Sequence, residues 1–135
     1  MEDFVPYELA VKLEQKGFKQ GYNIFGVRPI FSDETTIRFI SDIGAYEKEY
    51  FGENIAAPTI SQVLKWLREE KKISIEPTIH SSLKWVSGIY SFDDGLTDFT
   101  QYDTNIVDDT IYILYNSYEL AALAGIEYVL DNNLI

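Results

Sequence analysis

Hydrophobic periodicity along the chain predicts three helices. The first is predicted over 6–16, where an apolar stripe recurs at helical spacing. The second covers 59–72, with apolar residues at i, i+3, i+4 and i+7. The third covers 118–131, with Ser117 in position to cap it, and its apolar residues surround nearly the whole helix. Such a helix is expected either to lie deep in the fold or to meet a second subunit.

Between the helices, alternating and β-branched runs predict strands. Five are predicted, at 22–27, 35–41, 73–77, 83–92 and 110–115. Pro29 is expected to close the first strand, and Gly88 is expected to mark a β-bulge. A further strand at 99–102 and a helical turn at 47–51 are left open. The resulting order, α-β-β-α-β-β-β-α, predicts an α+β fold with three helices and a mainly antiparallel sheet of about five strands.

Length and composition limit the class of protein. The 135 residues, 46% of them hydrophobic, are too apolar for a disordered chain and match one globular domain over 1–135. The chain has no cysteine, so disulfides and thiolate metal sites are excluded. No apolar run is long enough for a membrane span, and no secretory signal is visible, so a cytoplasmic location without membrane contact is expected.

Charge is distributed unevenly along the chain. The formal net charge is −11, from 22 acidic and 11 basic residues. Lys84 is the last basic residue, and the 51 residues that follow it carry nine acids. Because phosphate contacts need Lys and Arg, this balance argues against direct nucleic-acid binding.

The acidic stretch at 93–109 and the aromatic residues beside it form the candidate interaction surface. Its members are Tyr90, Phe92, Asp93, Asp94, Asp98, Asp103, Asp108 and Asp109. Tyrosine and phenylalanine offer contact area with few rotors, as protein interfaces require. The aspartates also leave open a divalent-cation site or a small enzyme, although their spacing does not match a calcium-binding loop.

Other catalytic signals are missing from the sequence. His80 is the single histidine, and it is interpreted as a surface or turn residue rather than a base or metal ligand. Neither a nucleophile-elbow motif nor a phosphate-binding glycine loop is present. We therefore expect no catalytic residue, no metal and no cofactor, and predict that the protein is not an enzyme.

Three stretches of the chain carry a resemblance. They are VPYELAVKLEQKGF at 5–18, APTISQVLKWLREEKKISI at 57–75 and SYELAALAGIEYVLDNNLI at 117–135, with Lys84-Trp85 opening a strand. In these stretches the chain resembles a family of small uncharacterised proteins from phages and mobile elements of gut anaerobic bacteria. The resemblance implies an accessory protein in the bacterial cytoplasm and transfers no functional residue.

Three functions are compatible with these observations. The first is a non-catalytic protein-interaction protein that binds a partner or itself, the latter as a homodimer through the 118–131 helix. The second is an acidic nucleic-acid mimic that inhibits a DNA- or RNA-binding protein, because nine acids follow Lys84 without a base. The third is the cation binder or small enzyme centred on 93–109. The first function requires no special set of catalytic or metal-binding residues, and it is the preferred prediction.

Overall fold

A computed structural model describes residues 3–19, 27–41, 55–80, 83–92, 99–102, 106–108 and 111–135. The chain divides into two compact units, Met1–Thr59 and Ile60–Ile135. The fold class is α+β as predicted, with three helices and antiparallel sheets among the described residues. The single domain over 1–135 stays a prediction. None of the helices in the described ranges is both long and apolar enough to cross a membrane.

The described elements alternate between helices and groups of strands. In chain order they are α1 (Tyr7–Gln15), β1 (Val27–Phe31), β2 (Ile37–Ser41), β3 (Ile55–Ala56), α2 (Ile60–Glu70), β4 (Ile73–Ile79), β5 (Trp85–Phe92), β6 (Phe99–Tyr102), β7 (Ile106–Asp108), β8 (Ile111–Tyr112) and α3 (Tyr118–Asp131). The strands form two three-stranded sheets, β2-β1-β3 and β4-β5-β6, and a β7-β8 pair. Among the described residues the strands are therefore divided among three sheets rather than gathered in one. Strands of two or three residues, such as β3, are too short to leave an alternating pattern in the sequence.

The N-terminal unit begins with the helix that the sequence predicts. Pro6, with φ −59° and ψ 153°, is the N-cap residue of α1, one position earlier than the first helical turn where proline is often found. Leu9, Ala10 and Leu13 are buried, which confirms the apolar stripe. Gly17 follows with φ +93°, a left-handed conformation that glycine adopts without steric cost.

The prediction that Pro29 closes the first strand is wrong. β1 passes through Pro29, which lies opposite Phe39 in the antiparallel pairing with β2. Hydrogen-bonded and non-hydrogen-bonded residue pairs alternate along an antiparallel ladder, and the bond from Ser32 N to Thr36 O shows that this pair is hydrogen-bonded. Counting back three residues, Pro29 and Phe39 form a non-hydrogen-bonded pair, so the Pro29 nitrogen points away from β2. On that other side the Pro29 carbonyl accepts from Ala57 N at 3.0 Å, so the strand continues without a donor at this position. Residues 22–26 and the helical turn at 47–51 lie outside the described residues.

In the C-terminal unit, α2 and α3 pack against the β4-β5-β6 sheet. α2 contacts β4, α3 contacts β4 and β5, and the two helices contact each other, so they share one face of the sheet. The buried hydrophobic residues of this unit form its core: Ile60, Val63, Leu64, Leu67, Ile73, Ile75, Ile89, Ala121, Ala122, Ile126, Val129 and Leu130. The core therefore accounts for much of the apolar character of α3 within one chain.

The predicted bulge at Gly88 is also wrong. Gly88 lies opposite Glu76 in a ladder that runs without a register shift from Ile73↔Ser91 to Ile79↔Trp85. Glycine instead makes room for an aromatic ring: a Cβ at Gly88 would lie 3.1 Å from Cε2 of Tyr90, two residues along the same face. The Tyr90 ring thus covers the backbone that Gly88 leaves bare.

Candidate protein-interaction surface

Large exposed hydrophobic side chains are concentrated in the C-terminal unit. Among the described residues seven large hydrophobic side chains are exposed, and one of them, Phe39, belongs to the N-terminal unit. The other six form what we call the apolar patch: Ile79 (53% exposed), Leu83 (81%), Ile113 (38%), Leu114 (42%), Tyr118 (39%) and Leu120 (48%). Single exposed hydrophobic residues are common on protein surfaces, whereas large contiguous apolar patches are typical of interaction sites.

Trp85 brings the members of the apolar patch together. It lies opposite Ile79 in the β4–β5 ladder and follows Leu83 by two residues. Its backbone exchanges two hydrogen bonds with Tyr115, each 2.8 Å long, which places the 113–115 segment beside the start of β5. Its ring meets the ring of Tyr118 edge to face, with the centroids 5.6 Å apart and the planes at 89°. The segments that carry the patch therefore meet at one end of the sheet.

Leu83 is the most exposed member of the patch, and its backbone is strained. It belongs to the connection between β4 and β5, which is closed by the bond from His80 N to Lys84 O at 2.7 Å. Its φ is +60°, in the left-handed region. That region costs a residue with a Cβ about 1 to 2 kcal/mol, and glycine or asparagine is the usual occupant of such turns. Leucine at this position is strained and, at 81% exposure, gains little burial in return.

The start of α3 holds Tyr118 and Leu120 in fixed positions. Ser117 is the N-cap, as predicted, and its Oγ accepts a hydrogen bond from Leu120 N at 3.1 Å. The residue before it, Asn116, accepts a hydrogen bond from the ammonium group of Lys84 through its Oδ1. The first turn of α3 is thus tied to the beginning of β5.

Charged residues of both signs adjoin the apolar patch, since Lys84 follows Leu83 and the acidic residues lie on α3. Glu119 stands between Tyr118 and Leu120 in the first turn of α3, and Glu127 and Asp131 are exposed further along the helix. Burial raises the pKa of Tyr115 above its ordinary value of 10.0, and the negative charge of Glu127 adds to the effect. The Tyr115 phenol therefore stays neutral at physiological pH.

The residues proposed from the sequence as an interaction surface are only partly described. Tyr90 and Phe92 are half-buried, and the ladder register places both on the face of β5 opposite Trp85 and Ile89. Asp108 belongs to β7, and nothing is described of its side chain. The remaining members, Asp93, Asp94, Asp98, Asp103 and Asp109, lie outside the described residues. This surface stays a prediction, as does the cation site at 93–109.

The remaining candidate for chemistry is the single histidine. His80 is exposed at the end of β4, where its backbone N–H donates to Lys84 O. Within the ranges that the structure describes, no group of three or more His, Asp or Glu side chains is placed to hold a metal ion. His80 instead borders the turn that carries Leu83.

The pattern of the sequence does not predict the apolar patch. The available signal was Leu83, a leucine that follows His80-Ser81-Ser82 in a polar connection between two predicted strands. Its neighbours in the patch come from 79 and from 113–120, and only the pairing of Trp85 with Ile79 and Tyr115 brings these segments together.

No protein-family model, no curated protein and no solved structure matches the chain.

Proposed function

We propose that this chain is a non-catalytic interaction protein, which acts in the cytoplasm as an accessory protein of a phage or mobile element and binds a protein partner through the apolar patch. One observation carries the proposal. Six of the seven exposed large hydrophobic residues in the described chain lie on segments that meet at Trp85. Exposing such a group to water is unfavourable unless a partner covers it.

The composition of the apolar patch supports this function. Its centre is aromatic, with Trp85 and Tyr118 in edge-to-face contact, and the energetic centres of protein interfaces are enriched in Trp and Tyr. Leu83 lies two residues before Trp85 in a strained turn and is 81% exposed. A rigid aromatic pair with one protruding leucine suits a partner that offers a shallow apolar groove or helix face.

A homodimer through α3 has less support than a different partner. The sequence favoured that dimer because the 118–131 helix is apolar nearly all round. In the structure, Ala121, Ala122, Ile126 and Val129 are fully buried within the chain itself. The exposed large hydrophobic residues of α3 are Tyr118 and Leu120, both in its first turn. Self-association through the C-terminal unit would therefore use the apolar patch rather than the length of the helix.

Mimicry of a nucleic acid is a second candidate function. The observation that favours it is that Glu119, Glu127 and Asp131 are all exposed on the outer side of one helix. A mimic needs carboxylates on a shared exposed face, and it would recognise a basic protein. Such a protein would contact the acids and leave the apolar patch uncovered.

Site-specific photocrosslinking tests the proposed function. A photoreactive phenylalanine analogue at Leu83, compared with the same analogue at Phe39 outside the patch, is used to trap neighbouring proteins in bacteria that carry the gene. The trapped protein is then identified, purified and titrated against the full chain. We expect Leu83→Asn to weaken that binding by about tenfold and Phe39→Asn to leave it unchanged. Equal affinity of the two variants, or no product specific to position 83, would overturn the proposal.

A further inference from the structure

We infer that a second copy of the chain pairs with the outer edge of β2, antiparallel and centred on Phe39, so that the β2-β1-β3 sheets of the two copies become one. The inference goes beyond the proposed function, because it concerns the N-terminal unit and does not use the apolar patch. It combines three observations about one strand: the direction of its main-chain groups, the exposure of Phe39 and the position of Arg38.

The main-chain groups of β2 alternate between β1 and the outer edge. Pro29 and Phe39 form a non-hydrogen-bonded pair, so the N–H and C=O of Phe39 point away from β1. The same alternation directs the groups of Ile37 and Ser41 outward. In the part of the chain that the structure describes, β2 has no second partner strand, since the sheet order is β2-β1-β3. Three residues therefore offer donors and acceptors at the spacing that an added antiparallel strand requires.

The apolar face of this sheet reaches the same edge. Ile55, Phe31 and Ile37 lie opposite one another across the three strands, and Phe31 is buried in the cluster that packs on α1. Phe39 follows Ile37 on the same face and is 63% exposed. Its ring meets the ring of Phe4 edge to face, with the centroids 6.2 Å apart. A strand added beyond β2 would cover Phe39 and extend this face by one more side chain.

The outer edge of β4 lacks this capacity. The bond from His80 N to Lys84 O makes these two residues a hydrogen-bonded pair, and Pro77 lies three residues before His80. By alternation, the main-chain groups of Pro77 face away from β5. Its nitrogen has no hydrogen to donate, and proline at such a position is one way in which proteins prevent strand addition. β2 contains no proline, and an exposed aromatic residue stands at the middle of its edge.

A second copy fits this edge in one register. With the two-fold axis at Phe39, Ile37 of each copy lies opposite Ser41 of the other, and Phe39 lies opposite its counterpart. All three outward residues are then paired, with about six main-chain hydrogen bonds and an aromatic cross-strand pair. Arg38 is the one charged residue of β2. An axis at Arg38 would place two guanidinium groups directly opposite each other, and like charges at an interface disfavour association.

Pairing through β2 ends at two copies. The combined sheet would have the order β3-β1-β2-β2-β1-β3, with β3 at both outer edges. β3 consists of Ile55 and Ala56 alone, and so short a strand offers little template for further pairing. The expected assembly is therefore a closed dimer. Because a typical protein interface holds about ten hydrogen bonds, an interface with about six should be weak, with a dissociation constant in the micromolar range.

Single cysteines test the register, because the chain has no cysteine of its own. Across the proposed axis the two Cα atoms of residue 39 lie about 5.5 Å apart, within the range of a disulfide. Those of residue 38 lie on a diagonal, about 7 to 8 Å apart and beyond that range. In a glutathione redox buffer, we expect Phe39→Cys to form a disulfide-linked dimer at least about ten times faster than Arg38→Cys. Equal rates, or faster linkage of Arg38→Cys, would overturn the inference.

Sedimentation velocity measures the dimer without a covalent link. Between about 1 and about 500 µM, the full chain should shift from monomer to dimer. Phe39→Thr removes the ring but keeps the N–H, and it should weaken the dimer several-fold. Phe39→Pro also removes the outward N–H, as proline does at position 77, and should weaken the dimer at least about tenfold. Equal dimerisation of Phe39→Pro and Phe39→Thr would show that the main chain of β2 is not used. Circular dichroism confirms that each variant keeps its fold.

The apolar patch provides the control. Leu83→Asn should leave the dimer unchanged, because Leu83 belongs to the C-terminal unit. Loss of the dimer in Leu83→Asn would mean that the apolar patch mediates self-association, and the inference about β2 would be wrong. A chain that stays monomeric at the highest concentration, with slow linkage at both cysteine positions, would also overturn it. None of these results depends on the protein trapped at position 83, so the proposed function is tested separately.

Discussion

Trp85 and Tyr115 donate a backbone N–H to each other's carbonyl, both at 2.8 Å. The described pairing of β6 with β5 covers only Ile89 to Phe92, so Tyr115 supplies the partner at the opposite end of β5. Three residues further on, the ring of Tyr118 packs against Trp85. One residue pair thereby fixes where α3 begins and places two segments of the apolar patch side by side.

The contact between Trp85 and Tyr118 should contribute to stability beyond the area it buries. In a double-mutant cycle with Trp85→Leu and Tyr118→Leu, we expect a coupling energy of about 0.5 to 1.5 kcal/mol, as for other edge-to-face pairs. Urea unfolding of the four proteins measures it. Additive effects of the two substitutions would show that the rings do not interact in solution.

The cap of α3 should stabilise the C-terminal unit. Ser117→Ala removes the Oγ that accepts from Leu120 N, and we expect a loss of about 1 kcal/mol of unfolding free energy. Ser117→Asp keeps an acceptor at the same position and should melt close to the original protein. A Ser117→Asp variant as unstable as Ser117→Ala would contradict the capping role.

Gly125→Ala should destabilise the protein although alanine is the better helix former. A Cβ at this position would lie 2.6 Å from Cγ2 of Ile75 and 2.7 Å from Oγ of Ser87, so α3 or the sheet must shift. Overpacking of this kind costs about 1 to 3 kcal/mol, more than the helix propensity of alanine returns. Adding Ser87→Ala removes one of the two close contacts and should recover part of the loss. A melting temperature that rises in Gly125→Ala would rule out this close approach.

Leu83→Asn should be neutral or stabilising, by up to about 1 kcal/mol, even though it replaces a hydrophobic residue. Asparagine tolerates the left-handed conformation, and a side chain that is 81% exposed contributes little burial. Leu120→Asn is the matched control, because it also replaces an exposed leucine but lies in a helix. It should lower stability by about 0.5 kcal/mol, since asparagine is a poorer helix former. A strongly destabilised Leu83→Asn would show that the leucine is needed by the fold.

Tyr115 should make the folded chain sensitive to alkaline pH. Its pKa is raised in the folded state, chiefly by burial, so the unfolded chain ionises first as the pH increases. The unfolding free energy should therefore be unaffected by this residue at neutral pH. It should then fall between the ordinary tyrosine value of 10.0 and the raised pKa of the folded state.

Comparison with Tyr115→Phe isolates this effect, because the other titrating groups are shared by both proteins. The difference in unfolding free energy between the two should change by an amount that grows with pH above 10.0. Glu127→Gln should reduce that change, because its charge is the second cause of the shift. A difference that stays constant with pH would contradict the raised pKa.

Several elements follow from the sequence because their causes are local. Helix periodicity, the glycine that follows α1 and the serine cap of α3 depend on residues within a few positions of one another. The helices accordingly lie close to their predicted bounds, and the alternation along 83–92 correctly places Trp85 and Ile89 opposite Val86 and Tyr90. The uneven charge around Lys84 is also a property of the sequence alone.

The tertiary structure decided what depends on pairing between distant segments. Pro29 stays within a regular strand because its pairing with β2 requires no N–H donor at this position. Gly88 does so because the ring of Tyr90 covers its backbone. The apolar patch exists because Trp85 pairs with Ile79 on one side and Tyr115 on the other. Local propensity reports the preference of each short segment, whereas a surface built from several segments is fixed only by their packing.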